Sequence, residues 1–238
     1  MKTSIAETNR ANQIQRKLIA ATLFACVAVL AITAPPAVAA TDKITSSTAL
    51  TLRTPSQQIS DAALLDVGIP TLNDGLYLTD ESDTVFPEVR YAEAIYFSNQ
   101  LAKVMEKSGA WGAIRVTPTD SVIMDLYITG TILQSDGETM DLDIQVRDSS
   151  GKQWFAKNYK QTTGKYAYDR RLKRLGDPFQ NLFIRIANDL LAYREKLSEQ
   201  QAIELRTISE LRFAKSFSPE AFDSYVSERR DGTLKIDR

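Results

Sequence analysis

The chain has 238 residues, with 29 Lys and Arg against 30 Asp and Glu, and its mean hydropathy is −0.24. It has no His and a single Cys, Cys26, so Ser-His-Asp and Cys-His catalysis, zinc sites built on several His or Cys, and any disulfide within the chain are excluded. A balance this close to neutral also argues against a dedicated nucleic-acid binder.

The first forty residues run from basic to apolar to small. Lys2, Arg10, Arg16 and Lys17 precede an apolar stretch over residues 18–34, followed by Pro35, Pro36 and the run AVAA at 37–40. That order is a secretory signal. Three fates stay open. Cleavage after Ala39 or Ala40 satisfies the small-residue rule. An uncleaved anchor would use an apolar stretch at the short limit of a span. Cys26, at the end of LFAC (residues 23–26), loosely fits a lipidation site. The chain is thus expected outside the inner membrane, in the periplasm first, with inner-membrane anchorage or an outer-membrane lipoprotein as alternatives. Without residues 1–40 the balance is 25 basic against 29 acidic residues.

Residues 41–60, rich in Thr, Ser and Gln, read as a flexible linker. Residues 62–72 read as a short buried strand ending near Pro70. Residues 73–88 read as a turn-rich acidic loop carrying Asp74, Asp80, Glu81 and Asp83. Pro87 opens a helix with Tyr91, Ala94, Ile95, Ser98, Leu101, Ala102 and Met105 on one face, and Gly109 is the expected left-handed stop. Residues 111–116 form the next strand. Then Val122, Met124, Leu126, Ile128 and Ile132 alternate, Asp136-Gly137 turns, and Met140, Leu142, Ile144 and Val146 alternate against Asp141, Asp143, Gln145 and Arg147. A third strand covers 153–162, where adjacent Trp154 and Phe155 are expected on opposite faces.

Residues 164–176 are a basic connector. Asp177-Pro178 starts a helix whose stripe runs through Phe179, Leu182, Phe183, Ile186, Leu190, Tyr193 and Leu197. Unbroken to Ala214 it would reach on the order of 55 Å; a break near Ser198 is an equal alternative. Residues 218–220 restart a short helix with Phe222, Tyr225 and Val226. Residues 229–238 carry no stop signal, which leaves open that the chain continues beyond Arg238.

The fold class is α+β: a small mixed sheet with an antiparallel three-strand meander packed by helices, plus a C-terminal helical extension. The domains are a signal at 1–40, a linker at 41–60, an α/β domain at 61–164, and a connector with helical extension at 165–238. The segments LLDVGIP (64–70), DLYITGTI (125–132), MDLDIQVRD (140–148) and SGK (150–152) lie in the order strand, helix, strand, meander. In this they resemble the small α/β domain at the front of the Tol-Pal translocation protein, and similarly the curli-secretion lipoproteins and the lipoprotein activators of penicillin-binding proteins. The resemblance spans about residues 61–164. It implies a non-catalytic envelope role, binding a partner protein or supporting an assembly. The long C-terminal helical stripe departs from that pattern.

Asp141 and Asp143, with Asp125 nearby, invite a calcium or acid/base reading, but a solvated sheet face opposite Met140 to Val146 is the plainer account. Arg170, Arg171, Lys173 and Arg174, preceded by Lys165, Tyr166 and Tyr168, are the candidate contact for an anionic lipid or cell-wall surface. Leu205, Ile208, Leu211 and Phe213 are the candidate partner contact on a projecting helix. Trp111 and Trp154 fit core positions better than a ligand pocket. No P-loop, nucleophile elbow or dinucleotide fingerprint occurs, and no catalytic residue, metal, cofactor or nucleic-acid partner is expected. The expectation is therefore a binding protein of the envelope. The alternatives are a carboxylate-dependent cell-wall glycan hydrolase using the loop at 74–83, and a periplasmic small-molecule binder using the two indoles. The oligomeric state is not indicated.

Overall fold

The structure, a computed structural model, describes residues 42–44, 50–79, 85–164 and 177–237. The expected signal with Cys26, the loop carboxylates Asp80, Glu81 and Asp83, and the basic cluster Arg170, Arg171, Lys173 and Arg174 lie outside the described residues. Among the described residues no helix is long and apolar enough to cross a membrane.

The strands are β1 (Asp42–Ile44), β2 (Val67–Pro70), β3 (Ile114–Thr117), β4 (Leu126–Ser135), β5 (Thr139–Asp148), β6 (Gln153–Thr162), β7 (Val226–Glu228) and β8 (Leu234–Ile236). The helices are α1 (Pro87–Ser108), α2 (Gln180–Arg194), α3 (Glu199–Phe217) and the single turn α4 (Pro219–Phe222). Six strands form one mixed sheet in the order β1-β6-β5-β4-β2-β3, and β7 and β8 form a separate hairpin. β4, β5 and β6 are the antiparallel meander, while β2 runs parallel to both β4 and β3. The fold is therefore α+β as expected.

β2 sits inside the sheet and all four of its residues are buried. That is why it reads as a continuous apolar run and not as an alternation. One face of the meander carries Leu126, Ile128, Ile132, Leu142, Ile144 and Val146 into a core shared with Leu101 and Met105 of α1 and Leu182, Ile186 and Leu190 of α2. α2 is thus built into the domain core. On the other face Asp141 pairs with Lys160 at 2.9 Å, and the Asn158 amide donates to both Asp141 and Asp143. Asp125 is not part of that face; it is buried at the start of β4.

Pro87 occupies the first turn of α1, and Gly109 ends it with φ 65°. Two details depart from expectation. Tyr91 and Ile95, assigned to the inner face of α1, are 54% and 53% exposed, while Phe97 and Val104 take inner positions. Trp154 and Phe155 both meet Tyr193, with ring centroids 4.7 Å and 6.4 Å away. The register shift between Val146 and Arg147 opposite them is a bulge, which turns neighbouring side chains toward one partner.

Residues 50–60, expected to be a flexible linker, are strapped along α2. The Asn181 side chain accepts from Leu50 N–H. Asn188 accepts from Arg53 N–H and donates to the Thr51 carbonyl. Glu195 accepts from Ser56 N–H and pairs with Arg53 at 2.8 Å. These three side chains recur every seven residues, two turns apart on one helix face, so a segment with few apolar residues is held through its main chain.

The long helix is broken. The chain turns after Arg194, and Ser198 caps α3 through a reciprocal capping box with Gln201. α3 folds back and buries Ala202, Leu205 and Ile208, so it lies on the domain instead of projecting from it.

Candidate functional site

The folding back of α3 sorts the proposed partner-contact residues. Leu205 and Ile208 are interior and available to no partner, Leu211 is half-buried, and Phe213 is 56% exposed with its ring 4.9 Å from that of Phe217. The apolar face of this helix is spent on its own domain, apart from Phe213 and Phe217 at its distal end, which remain exposed.

A larger apolar surface lies elsewhere. Tyr77, Leu78, Phe86, Val89, Tyr91, Ile95 and Tyr96 are all exposed, within a twenty-residue stretch that ends in the first half of α1. The inner stripe of α1 (Ala94, Phe97, Leu101, Met105) packs on the sheet, so the helix is apolar on two sides.

Beside it opens a cleft of about 620 Å³ lined by Phe86, Val89, Arg90, Glu93, Leu133 and Asp136 among others. Its polar groups are already engaged. Arg90, itself buried, pairs with Glu93 at 3.2 Å and donates to the Asp74 carbonyl, while Ser135 donates to Glu93. For Asp136, burial works upward, but hydrogen bonds from the Thr139 amide, the Gln134 side chain and the Glu138 amide outweigh it and hold the carboxyl below its usual range. A general acid for glycoside cleavage needs the opposite shift. Asp74 accepts from Leu76 N–H as a turn residue.

Neither indole offers a ligand surface. Trp111 and Trp154 are buried, and the clefts described in this section have other linings. Trp154 donates to Asp148. No group of three or more acidic, His or Cys side chains among the described residues is arranged to hold a metal.

A second, smaller cleft of about 240 Å³ touches Asp66, Asp125, Arg206, Ser209 and Phe213. Asp125 accepts from Asp66 N–H at 2.8 Å and from the Ser209 hydroxyl, so it ties the entry of β2 to α3. Burial pushes its pKa up; the Ser209 and Asp66 hydrogen bonds oppose this only in part. A folded-state pKa above the unfolded value means that the folded protein binds the proton more tightly. Stability then falls as pH rises from the unfolded value of about 3.8 through the raised one. Asp125→Asn is expected to flatten that slope, read as urea midpoints between pH 4 and 8.

No family model matches the chain, and no curated protein matches it. Among solved structures it is similar to the hypothetical protein CT253 from Chlamydia trachomatis (13% identity, 56% of this chain and 99% of that one, TM-score 0.35). It is also similar to a PelC dodecamer from Paraburkholderia phytofirmans (16% identity, 66% and 95%, TM-score 0.30) and to lipoprotein GNA1162 from Neisseria meningitidis (11% identity, 56% and 99%, TM-score 0.22).

Proposed function

We propose that this chain is an exported protein of the bacterial envelope that acts by binding a partner protein, without catalysis of its own. The observation that carries the reading is the second apolar face of α1, where Tyr91 and Ile95 stand a turn apart, about half exposed, beside Phe86 and Val89. The basic, apolar and small-residue order of residues 1–40 supports the compartment, and the order of sequence segments over residues 61–164, which resembles the front domain of the Tol-Pal translocation protein, is in keeping with a role in assembly. Glu93 and Asp136 in the adjoining cleft are engaged by Arg90, Ser135 and main-chain amides, which speaks against that pair as glycosidase carboxylates.

Hot-spot residues at interfaces are large, central and desolvated on binding. The double substitution Tyr91→Glu and Ile95→Glu is therefore expected to abolish recovery of the partner in crosslinked envelope pull-downs. The melting temperature should stay within about 3 °C, because exposed positions away from the core change stability little. Unchanged recovery, or turnover of muropeptides by the purified protein, would overturn the reading.

A further inference from the structure

Between the strap and the α2–α3 corner lies a cleft of about 380 Å³, whose lining includes Ser56, Gln57, Ser60, Arg194, Leu197 and Glu199. Arg194 is unusual among the cations. It is only 5% exposed, it donates to the Ala63 carbonyl at 2.7 Å, and its Nε is buried without a hydrogen-bond partner. No carboxylate among the described residues pairs with it, whereas Arg53, Arg90 and Arg206 each have one. Burial disfavours its charge, yet a guanidinium does not deprotonate in a protein. A fixed positive charge without an ion-pair partner among the described residues therefore stands in the wall of a cleft.

Two further features bear on that charge. α3 begins at the same cleft, since Leu197 and Glu199 flank its N-cap, and the positive end of its dipole adds to the field of Arg194. The two nearby carboxylates are already engaged: Glu195 by Arg53 and Ser56 N–H, and Glu199 by the Ser60 hydroxyl. We propose that this cleft is a binding site for a small carboxylate, held by the Arg194 guanidinium and the N-terminal end of α3. A planar carboxylate suits the guanidinium fork. Glu195 and Glu199 at the same cleft disfavour a doubly charged ligand, so phosphate is a poorer fit.

The test follows the Arg194 Nε–Hε resonance by nitrogen-edited NMR of the purified protein, assigned by its loss in Arg194→Lys. Acetate is expected to shift it saturably, while acetamide and inorganic phosphate shift it little. Glu199→Gln removes one negative charge at the cleft and should tighten acetate binding about threefold, a gain that a damaged fold would not produce. A short peptide with a free carboxyl terminus, compared with its amide, then distinguishes a chain terminus from a small organic acid. A linear, unsaturated response shared by acetate and chloride would overturn the proposal, as would Glu199→Gln leaving acetate affinity unchanged.

Discussion

Asp148→Ala is expected to lower stability by about 3 kcal/mol, the loss associated with breaking a buried hydrogen-bond network. Asp148 is buried at the end of β5 and serves the whole turn that follows. One carboxylate oxygen accepts from Ser150 N–H, the Ser150 hydroxyl and Lys152 N–H, at 3.0, 2.6 and 3.1 Å. The other accepts from the Trp154 indole at 2.9 Å. Removing the side chain strands the buried Ser150 N–H and hydroxyl and the Trp154 indole, and each stranded donor carries its own desolvation penalty. Trp154 is also the ring stacked on Tyr193, so the loss should spread to the contact between β6 and α2. Asp148→Asn keeps one acceptor oxygen but sets an amide donor against another donor, and a loss of about 1–2 kcal/mol is expected. Urea unfolding followed by tryptophan fluorescence measures both. An Ala variant within 0.5 kcal/mol of the parent would show that the turn is held by something other than this carboxylate.

This network also illustrates what was legible in the sequence. The turn at 148–151 and the alternation on either side of it are local patterns, and the meander follows from them. What stayed hidden depends on contacts distant in sequence. Asn181, Asn188 and Glu195 look like ordinary polar positions on a helix until residues 50–56 are laid across them. The strap has only Leu50, Leu52 and Ile59 as large apolar residues, and the Asn181, Asn188 and Glu195 side chains hold its main chain, so its Thr-, Ser- and Gln-rich composition suggested a free linker. The S-x-x-Q signature at Ser198 was readable as a helix start, but the direction in which α3 folds back was not, and that direction buries Leu205 and Ile208. On α1, periodicity marks apolar positions without saying which of two apolar stripes faces the sheet. Tyr91 and Ile95 lie at the same helical spacing as Ala94, Ser98 and Leu101, and only the sheet decides between them. Arg194 carries no sequence signal at all: a basic residue in the last turn of a helix is commonplace, and the engagement of the nearby Glu195 and Glu199 by other groups exists only in three dimensions.

Gly130→Ala is expected to cost about 2 kcal/mol, and Gly130→Val more, through overpacking at a point where the main chain cannot yield. A glycine inside a strand weakens it unless something approaches closely. Here a Cβ would lie 2.7 Å from the Ile144 side chain, 2.9 Å from Leu72 and 2.8 Å from the Asp143 carbonyl. The two side chains can move; the carbonyl belongs to the ladder between β4 and β5, where Gly130 stands opposite Ile144. The main chain of β4 is constrained here too, because Asn73 N–H donates to the Gly130 carbonyl and Ile132 N–H to that of Asn73. Displacing the strand would therefore break the bridge that leads the chain from β2 toward α1, with its exposed face. Thr129→Ala and Thr131→Ala provide the contrast, since both are only partly buried on the opposite face and should stay within about 0.5 kcal/mol of the parent. If Gly130→Ala behaved like them, Gly130 would be an accident of sequence; the approach of Asp143 and Leu72 requires that it behave differently.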